Sequence, residues 1–238
     1  FTWDENHHLL SRKDQNGNIT KYTYDEKGNL LTEIAPNGGI THYAYNEAGQ
    51  LITKTDALGN STQYTYNKQG QLETETDPLG NTTAYTYDDN GYPATQTNAL
   101  GEVTHTKYDA KGNLLKITFA DQTTISYTYD ALGRQTSMTD PRGYTTKYQY
   151  DGLGQLVRTI LPDGSVQEAE YTPSGRLKAT KDALGNTISY TYDRSGNQLT
   201  ETDADGYTTE NEYDLADRLI SQTNALGGKT TYTYDPVG

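Results

Sequence analysis

The chain has 238 residues, of which only 32% are hydrophobic, with no cysteine and a formal net charge of −13. The missing cysteines exclude disulfides, thiol catalysis and thiolate metal sites, and the acidic balance argues against a nucleic-acid partner, which demands Lys and Arg. So few apolar side chains cannot fill a conventional two-layer core, yet 22 Tyr and abundant Thr are strand formers and set the chain apart from disordered sequences.

Along the chain, Phe1 to Lys13 reads as a degenerate first unit, with Trp3 in an aromatic slot and His7-His8 where later units carry Gly-Asn. The aromatic slot then recurs every 21 residues without insertion, at Tyr24, Tyr45, Tyr66, Tyr87, Tyr108, Tyr129, Tyr150, Tyr171, Tyr192, Tyr213 and Tyr234. A fixed short period signals a stacked array of one supersecondary unit, each buried only by its neighbours.

Two turn signals punctuate each unit. The first opens on the Asx after the tyrosine and closes on glycine, as at Gly28, Gly49, Gly70, Gly112, Gly133, Gly154 and Gly196; the second closes on Gly59, Gly80 and Gly185. A type I turn with the glycine left-handed, forming a bulge, fits the first. Between the turns, Thr62, Tyr64, Tyr66 and then Leu72, Thr74, Thr76 alternate with other residues, as in an antiparallel meander.

Parity predicts a register. A three-residue first loop sets Tyr66 opposite Leu72, Tyr64 opposite Thr74 and Thr62 opposite Thr76, all on one face, with Gln63, Thr65, Glu73 and Glu75 on a polar face that meets water. For Leu51 to face Tyr66, the second connection must hold four loop residues, Ala57 to Asn60, since one more or one fewer flips the strand. The odd period thus predicts two unequal loops, and unusual backbone angles at Asn60 and Asn81. The expected fold is all-β: residues 1–238 form one continuous single-layer antiparallel meander of about eleven hairpin repeats. About 23 strands at roughly 4.8 Å give a ribbon on the order of 110 Å, expected to curve or spiral because strand twist accumulates.

The pattern lapses in places. Thr106, Ala169 and Asn211 replace the first tyrosine of the pair, Gln122 and Asp217 replace turn glycines, and Thr172-Pro173-Ser174-Gly175 keeps its turn without Asp. These read as drift in a redundant array. His42 and His105 share one slot three units apart, too distant for a common metal, and His7-His8 reads as a surface turn. Asp203, Asp205 and Gly206 echo a calcium loop without its other ligands. Asn18, Asn60 and Asn81 match the glycosylation acceptor, but turn chemistry already demands Asn there. Carboxylates follow the turns and single out no acid/base pair. No catalytic, cofactor-binding or metal site is therefore expected. No apolar run reaches the 18 or so residues of a membrane helix, no signal peptide precedes Phe1, and the mid-pattern ends suggest a segment of a larger protein whose two edge strands invite edge-to-edge self-association.

Residues 24–32 (YDEKGNLLT), 74–87 (TETDPLGNTTAYTY) and 190–203 (YTYDRSGNQLTETD) resemble the YD repeat of the Rhs family, and the resemblance runs through the whole chain. In that family such repeats form β-hairpins wound into a hollow shell. In bacterial Rhs and toxin-complex proteins the shell encloses a polymorphic C-terminal toxin, and in animal teneurins it forms an extracellular adhesion module. The resemblance implies a non-catalytic structural segment with neighbouring repeats and an enclosed toxin as partners, no cofactor, no nucleic acid and no membrane insertion, in a bacterial protein that is secreted or at the cell surface. Rhs cores end in an Asp-Pro-rich segment resembling an autoproteolytic aspartyl site, but Asp235-Pro236-Val237-Gly238 falls on the regular first-turn slot and reads as a turn. A second reading is an adhesion or carbohydrate-binding module using tyrosine rows. Choline-binding and clostridial toxin repeats have similar periods, but they resemble hairpins with adjacent aromatics, whereas here the tyrosines are two apart and followed by Asp.

Overall fold

The computed structural model describes residues 1–235; the Pro236-Val237-Gly238 part of the last expected turn lies outside the described residues. All regular structure among them is β, in 23 strands from Thr2–Trp3 to Lys229–Thr231. The chain divides into two units at Thr123 and Thr124, and both are built alike. In the first, Ser61–Tyr66, Leu72–Thr76 and Thr82–Tyr87 follow one another. In the second, Thr145–Tyr150, Leu156–Ile160 and Val166–Tyr171 do the same. Within each unit every strand pairs antiparallel with its neighbours in sequence.

The two connections in a repeat are the same turn, which overturns the expectation of unequal loops. In the first, Gly70 N donates to the Asn67 carbonyl at 2.9 Å and Asn67 N to the Gln71 carbonyl at 2.9 Å; in the second, Gly80 N donates to Asp77 at 3.0 Å and Asp77 N to Asn81 at 2.9 Å. Gly70 and Gly80 have φ of 83° and 85°, and the non-glycine residues with positive φ among those described are His7, Gln122 and Asp217. Asn60 and Asn81 therefore keep ordinary φ, contrary to expectation. Their contribution is made by the side chain.

The odd residue is absorbed in a strand instead. Gln63 pairs with Thr76, Tyr64 with Glu75 and Thr65 with Thr74, but Tyr66 pairs with Leu72. Glu73 is thus a bulge, two residues facing one. The same shift recurs at Ile52, between the pairs Tyr45 with Leu51 and Ala44 with Thr53, and at Val157 in the second unit. The physical reason is that both turns close on an identical Asx and Gly hydrogen-bond set, which an altered loop length would break. A bulge leaves both sets intact.

This register also corrects the faces. Tyr64 and Tyr66 share a face with Leu72, as expected, but Glu75 lies beside Tyr64, whereas Thr74 and Thr76 lie on the other face with Thr65 and Gln63. That second face is a ladder of hydroxyls. Thr65 meets Thr74 at 2.6 Å, Thr76 meets Thr82 at 2.9 Å and Thr86 meets Thr95 at 2.7 Å, and Thr191 with Thr200 and Thr202 with Thr208 repeat it in the second unit. Such cross-strand pairs each contribute about 0.2–1 kcal/mol.

No second layer covers either face. Among the described residues no hydrophobic side chain is fully buried, and the accessible surface is 16060 Å², against about 10,600 Å² for a compact chain of this mass. Cohesion is therefore a sum of contacts between adjacent strands.

Gln122, at φ 68° in a glycine slot, bears the strain that left-handed backbone imposes on a residue with a Cβ. Gln122→Gly is expected to raise the unfolding free energy by about 1 kcal/mol, and Gly80→Gln, at a turn where a Cβ would meet nothing within 4 Å, to lower it by a similar amount. Urea unfolding of the two variants checks both signs.

Candidate functional site

The tyrosine hydroxyl has a specific partner. The ladder joining Leu51–Thr55 to Ser61–Tyr66 runs from Thr55 paired with Ser61 to Thr53 paired with Gln63, stopping short of the bulge and leaving the Leu51 carbonyl beyond its end. Tyr66 Oη donates to that carbonyl at 2.8 Å. Tyr24 does the same to Leu9, Tyr87 to Leu72, Tyr150 to Gln135, Tyr171 to Leu156, Tyr192 to Leu177, Tyr213 to Gln198 and Tyr234 to Leu219, at 2.8–3.1 Å. Tyr45, Tyr108 and Tyr129 occupy the same strand position, opposite Leu51, Leu114 and Gln135. The bulge creates the need and the tyrosine fills it, which ties each hairpin to the one before.

The other tyrosine of most pairs is half-buried along the face. Burial pushes the Tyr43, Tyr64 and Tyr85 hydroxyls up from their ordinary value, with Glu33 beside Tyr43 and Glu75 beside both Tyr64 and Tyr85 adding to the effect. Where this slot lacks tyrosine, two of the three replacements reach a backbone carbonyl of the preceding hairpin. Asn211 Nδ2 donates to Gln198 at 3.0 Å and the Thr106 hydroxyl donates to Pro93. Ala169 has no such group.

At the turns, one carboxylate organises five residues. Asp56 Oδ1 accepts from the amides of Leu58 and Asn60 at 2.9 and 2.8 Å, and Oδ2 accepts from Asn60 Nδ2 at 2.8 Å. Asp14, Asp25, Asp77 and Asp109 repeat the set. The Asn side chain first and its backbone amide second hold each of these carboxyls below the ordinary value, against a smaller opposing effect of desolvation. His8 plays the Asn part, its Nδ1 lying 2.9 Å from Asp4 Oδ2, and Arg134 plays it for Asp130.

These contacts give the suggestive motifs ordinary roles. The Nδ2 atoms of Asn18, Asn60 and Asn81, which a glycan would take, donate to Asp14, Asp56 and Asp77. Asp203 Oδ1 accepts from the amides of Asp205 and Tyr207, as in any other turn here. His42 and His105 are exposed, opposite Thr55 and Thr118. Among the described residues no group of three or more His, Asp or Glu side chains converges on a metal-sized space.

A third device escaped the sequence reading. The residue after the first-turn glycine reaches across to the next repeat: Gln50 Nε2 donates to the Gly70 carbonyl at 2.8 Å, Gln71 to Gly91 at 2.9 Å, Gln155 to Gly175 at 2.8 Å and Arg176 to Ser195 at 3.1 Å. In other repeats it lies over the next YD tyrosine, as His8 on Tyr24, Tyr92 on Tyr108, Arg134 on Tyr150 and Arg218 on Tyr234, within about 5 Å of the ring centre. The signal was present, since His, Asn, Gln, Tyr and Arg all end in a flat group and this slot holds nothing else. Among the described residues the second-turn edge shows no such closure. Leu58, Leu79 and Leu100 stand at its tips 87%, 88% and 83% exposed.

Fold and site together define a β-hairpin repeat array in which neighbouring units complete each other's hydrogen bonding. The RHS Repeat family profile matches residues 3–40, 45–82, 66–103, 108–145, 132–166, 171–208 and 213–238, and the chain belongs to that family. Among solved structures it is similar to TcdB2-TccC3 at 16% identity and TM-score 0.41, over 100% of this chain and 19% of that one. The Tc holotoxin pore of Photorhabdus luminescens, with a mutation in TccC3, matches at 16% identity and TM-score 0.42, over 92% and 17%. A porin-like protein from Bacteroides uniformis matches at 14% identity and TM-score 0.31, over 80% and 87%. The chain spans about a fifth of the length of the toxin-complex chains it matches. No curated protein matches it.

Tyr66→Phe is expected to cost about 1 kcal/mol in urea unfolding, because the Leu51 carbonyl loses the tyrosine hydroxyl as a donor, and Tyr64→Phe less than half of that. The carboxyls of Asp14, Asp25, Asp56, Asp77 and Asp109 set the acid limit. Their folded values lie below the unfolded one, so their stabilisation is complete above the unfolded carboxyl value of about 3.9 and is lost as pH falls through the folded values. Unfolding free energy should be level from pH 7 to about 5 and drop below about 4; a profile still level at pH 3 contradicts this role.

Proposed function

We propose that this chain is a non-catalytic wall segment of an Rhs-type β-shell that encapsulates a C-terminal toxin or other cargo. Residues 1–238 act as one continuous array of about eleven YD repeats within a longer shell, in a secreted or cell-surface bacterial protein. The YD tyrosines and turn glycines are its structural residues, and its partners are the adjoining repeats and the enclosed polypeptide.

The observation that carries this reading is the recurring bond from each YD tyrosine to the preceding hairpin, as from Tyr66 to Leu51 and from Tyr192 to Leu177. With the flat side chains that span the first turns, it commits the distinctive residues of most repeats to the neighbouring repeat. A sheet held this way extends by adding units, and a single layer encloses volume with the least chain. Open sheets of many strands curl, which suits a wall.

Enclosure is tested on the full-length protein by proteinase K. The polypeptide downstream of the repeats should resist digestion until the wall is breached by Thr83→Pro with Thr104→Pro, which removes ladder donors from two central strands. If the downstream polypeptide of the unaltered protein is digested as fast as that of the breached one, nothing is enclosed and the proposal fails.

A further inference from the structure

One place on the tyrosine face of the second unit is unfilled. Elsewhere the first tyrosine of a pair is opposed across the ladder by a long side chain: Tyr22 by Glu33, Tyr43 by Lys54, Tyr85 by Gln96, Tyr127 by Met138 and Tyr190 by Glu201. At Ala169 the slot holds a methyl group and its partner is Thr180, while Thr159 occupies the corresponding position opposite Tyr148. Three small residues on nearby strands replace a ring and two long side chains. They leave a solvent-open cavity of about 300 Å³ lined by Leu156, Val157, Thr159, Gln167, Ala169 and Thr180, with the charged residues Arg158, Glu168, Lys181 and Asp182 completing its wall.

The sister repeats show what the cavity lacks. The Gln198 carbonyl accepts from both Asn211 Nδ2 and Tyr213 Oη. The equivalent Leu156 carbonyl accepts from Tyr171 Oη at 3.1 Å and has no Ala169 donor, although a carbonyl has two lone pairs. The gap is therefore large enough for an aromatic ring, is lined by small and aliphatic residues with charged ones beside them, and contains a carbonyl able to accept a second bond. Gln167 at the rim stands where the other repeats mostly carry Thr, as at Thr62, Thr83 and Thr104, and adds an amide.

We propose that this cavity is a binding site for a phenolic ring, the side chain of a tyrosine presented by another polypeptide segment. The ring takes the place that the array's own tyrosine holds elsewhere, and its hydroxyl donates to the Leu156 carbonyl. The cavity sits at the lower end of the size range of ligand pockets, so an isolated ring binds weakly and the presenting segment supplies the remaining contacts. The inference is independent of the enclosure proposed above.

The probe is p-cresol, titrated into the chain while methyl resonances are followed by NMR. Saturable shifts confined to Ala169, Thr159 and Thr180, with a dissociation constant on the order of a millimolar, are expected. Ala169→Tyr, which fills the cavity from within, should abolish them. Replacing the probe with 4-methylanisole, which cannot donate, should weaken binding about fivefold. Ala169→Asn places the sister repeat's donor at the carbonyl and should weaken p-cresol severalfold, a second reading should the Tyr variant fail to fold. Non-saturating shifts, equal shifts at Thr106, or binding unchanged in a folded Ala169→Tyr or Ala169→Asn chain would overturn the proposal.

Discussion

A strand presents the same face every second residue, and this chain repeats every 21. An odd period cannot keep its tyrosines on one face through regular pairing and equal loops alone, so each unit must absorb one residue in a loop or in a strand. That residue is a strand bulge, at Ile52, Glu73 or Val157, and much of the structure follows from it. The bulge ends the ladder early, leaving a carbonyl past its last pair, and the next YD tyrosine is placed to reach that carbonyl. The most regular residue in the sequence is thus held in place by the most irregular point in the backbone.

The turns explain why the bulge lies in the strand. Most turns are a closed set in which an Asx side chain accepts two backbone amides and, at turns such as that of Asp56, the side chain of the residue after glycine. Adding or removing a loop residue costs the whole set, whereas a bulge sets one residue aside. The same economy explains the substitutions. His8 and Arg134 keep the contact to Asp4 and Asp130 with different chemistry, and Asn197 keeps its bond to Asp193 while also reaching Asp217 in the following turn, where glycine is absent. Drift is tolerated where the hydrogen bond survives.

Much of the fold was legible because the period itself is a statement about geometry: strand number, meander, one tyrosine face and left-handed glycines follow from spacing alone. The register was not, and the reason is local. Bulged residues are as unlike as Ile52, Glu73 and Lys178, so nothing in their chemistry marks them, and parity can be repaired equally well in a loop or in a strand. The choice is made by hydrogen bonds that composition does not reveal. Asn60 misled for a related reason: beside a glycine in a turn, Asn suggests left-handed backbone, but here it serves as a side-chain donor to Asp56. The stacking slot occupied by His8, Tyr92 and Arg134 was hidden because its residues differ in charge and size and agree only in being flat.

An array without a buried core derives its cohesion from contacts one or two strands away, so the effect of a lapse depends on whether a neighbour answers it. Asn211 shows an answered lapse: it bonds Gln198 behind it and accepts from Gln222 across the ladder at 3.1 Å, so a lost ring is replaced by a polar chain of comparable reach. Ala169 shows an unanswered one, because Thr159 and Thr180 are shortened in the same place and deepen the gap. Independent drift would shorten the slot and leave its neighbours long, as at Thr106, which still faces Ile117. Coordinated loss of bulk on three strands removes contact energy that the single layer cannot recover elsewhere, and that cost distinguishes the Ala169 cavity from the other lapses in the repeat.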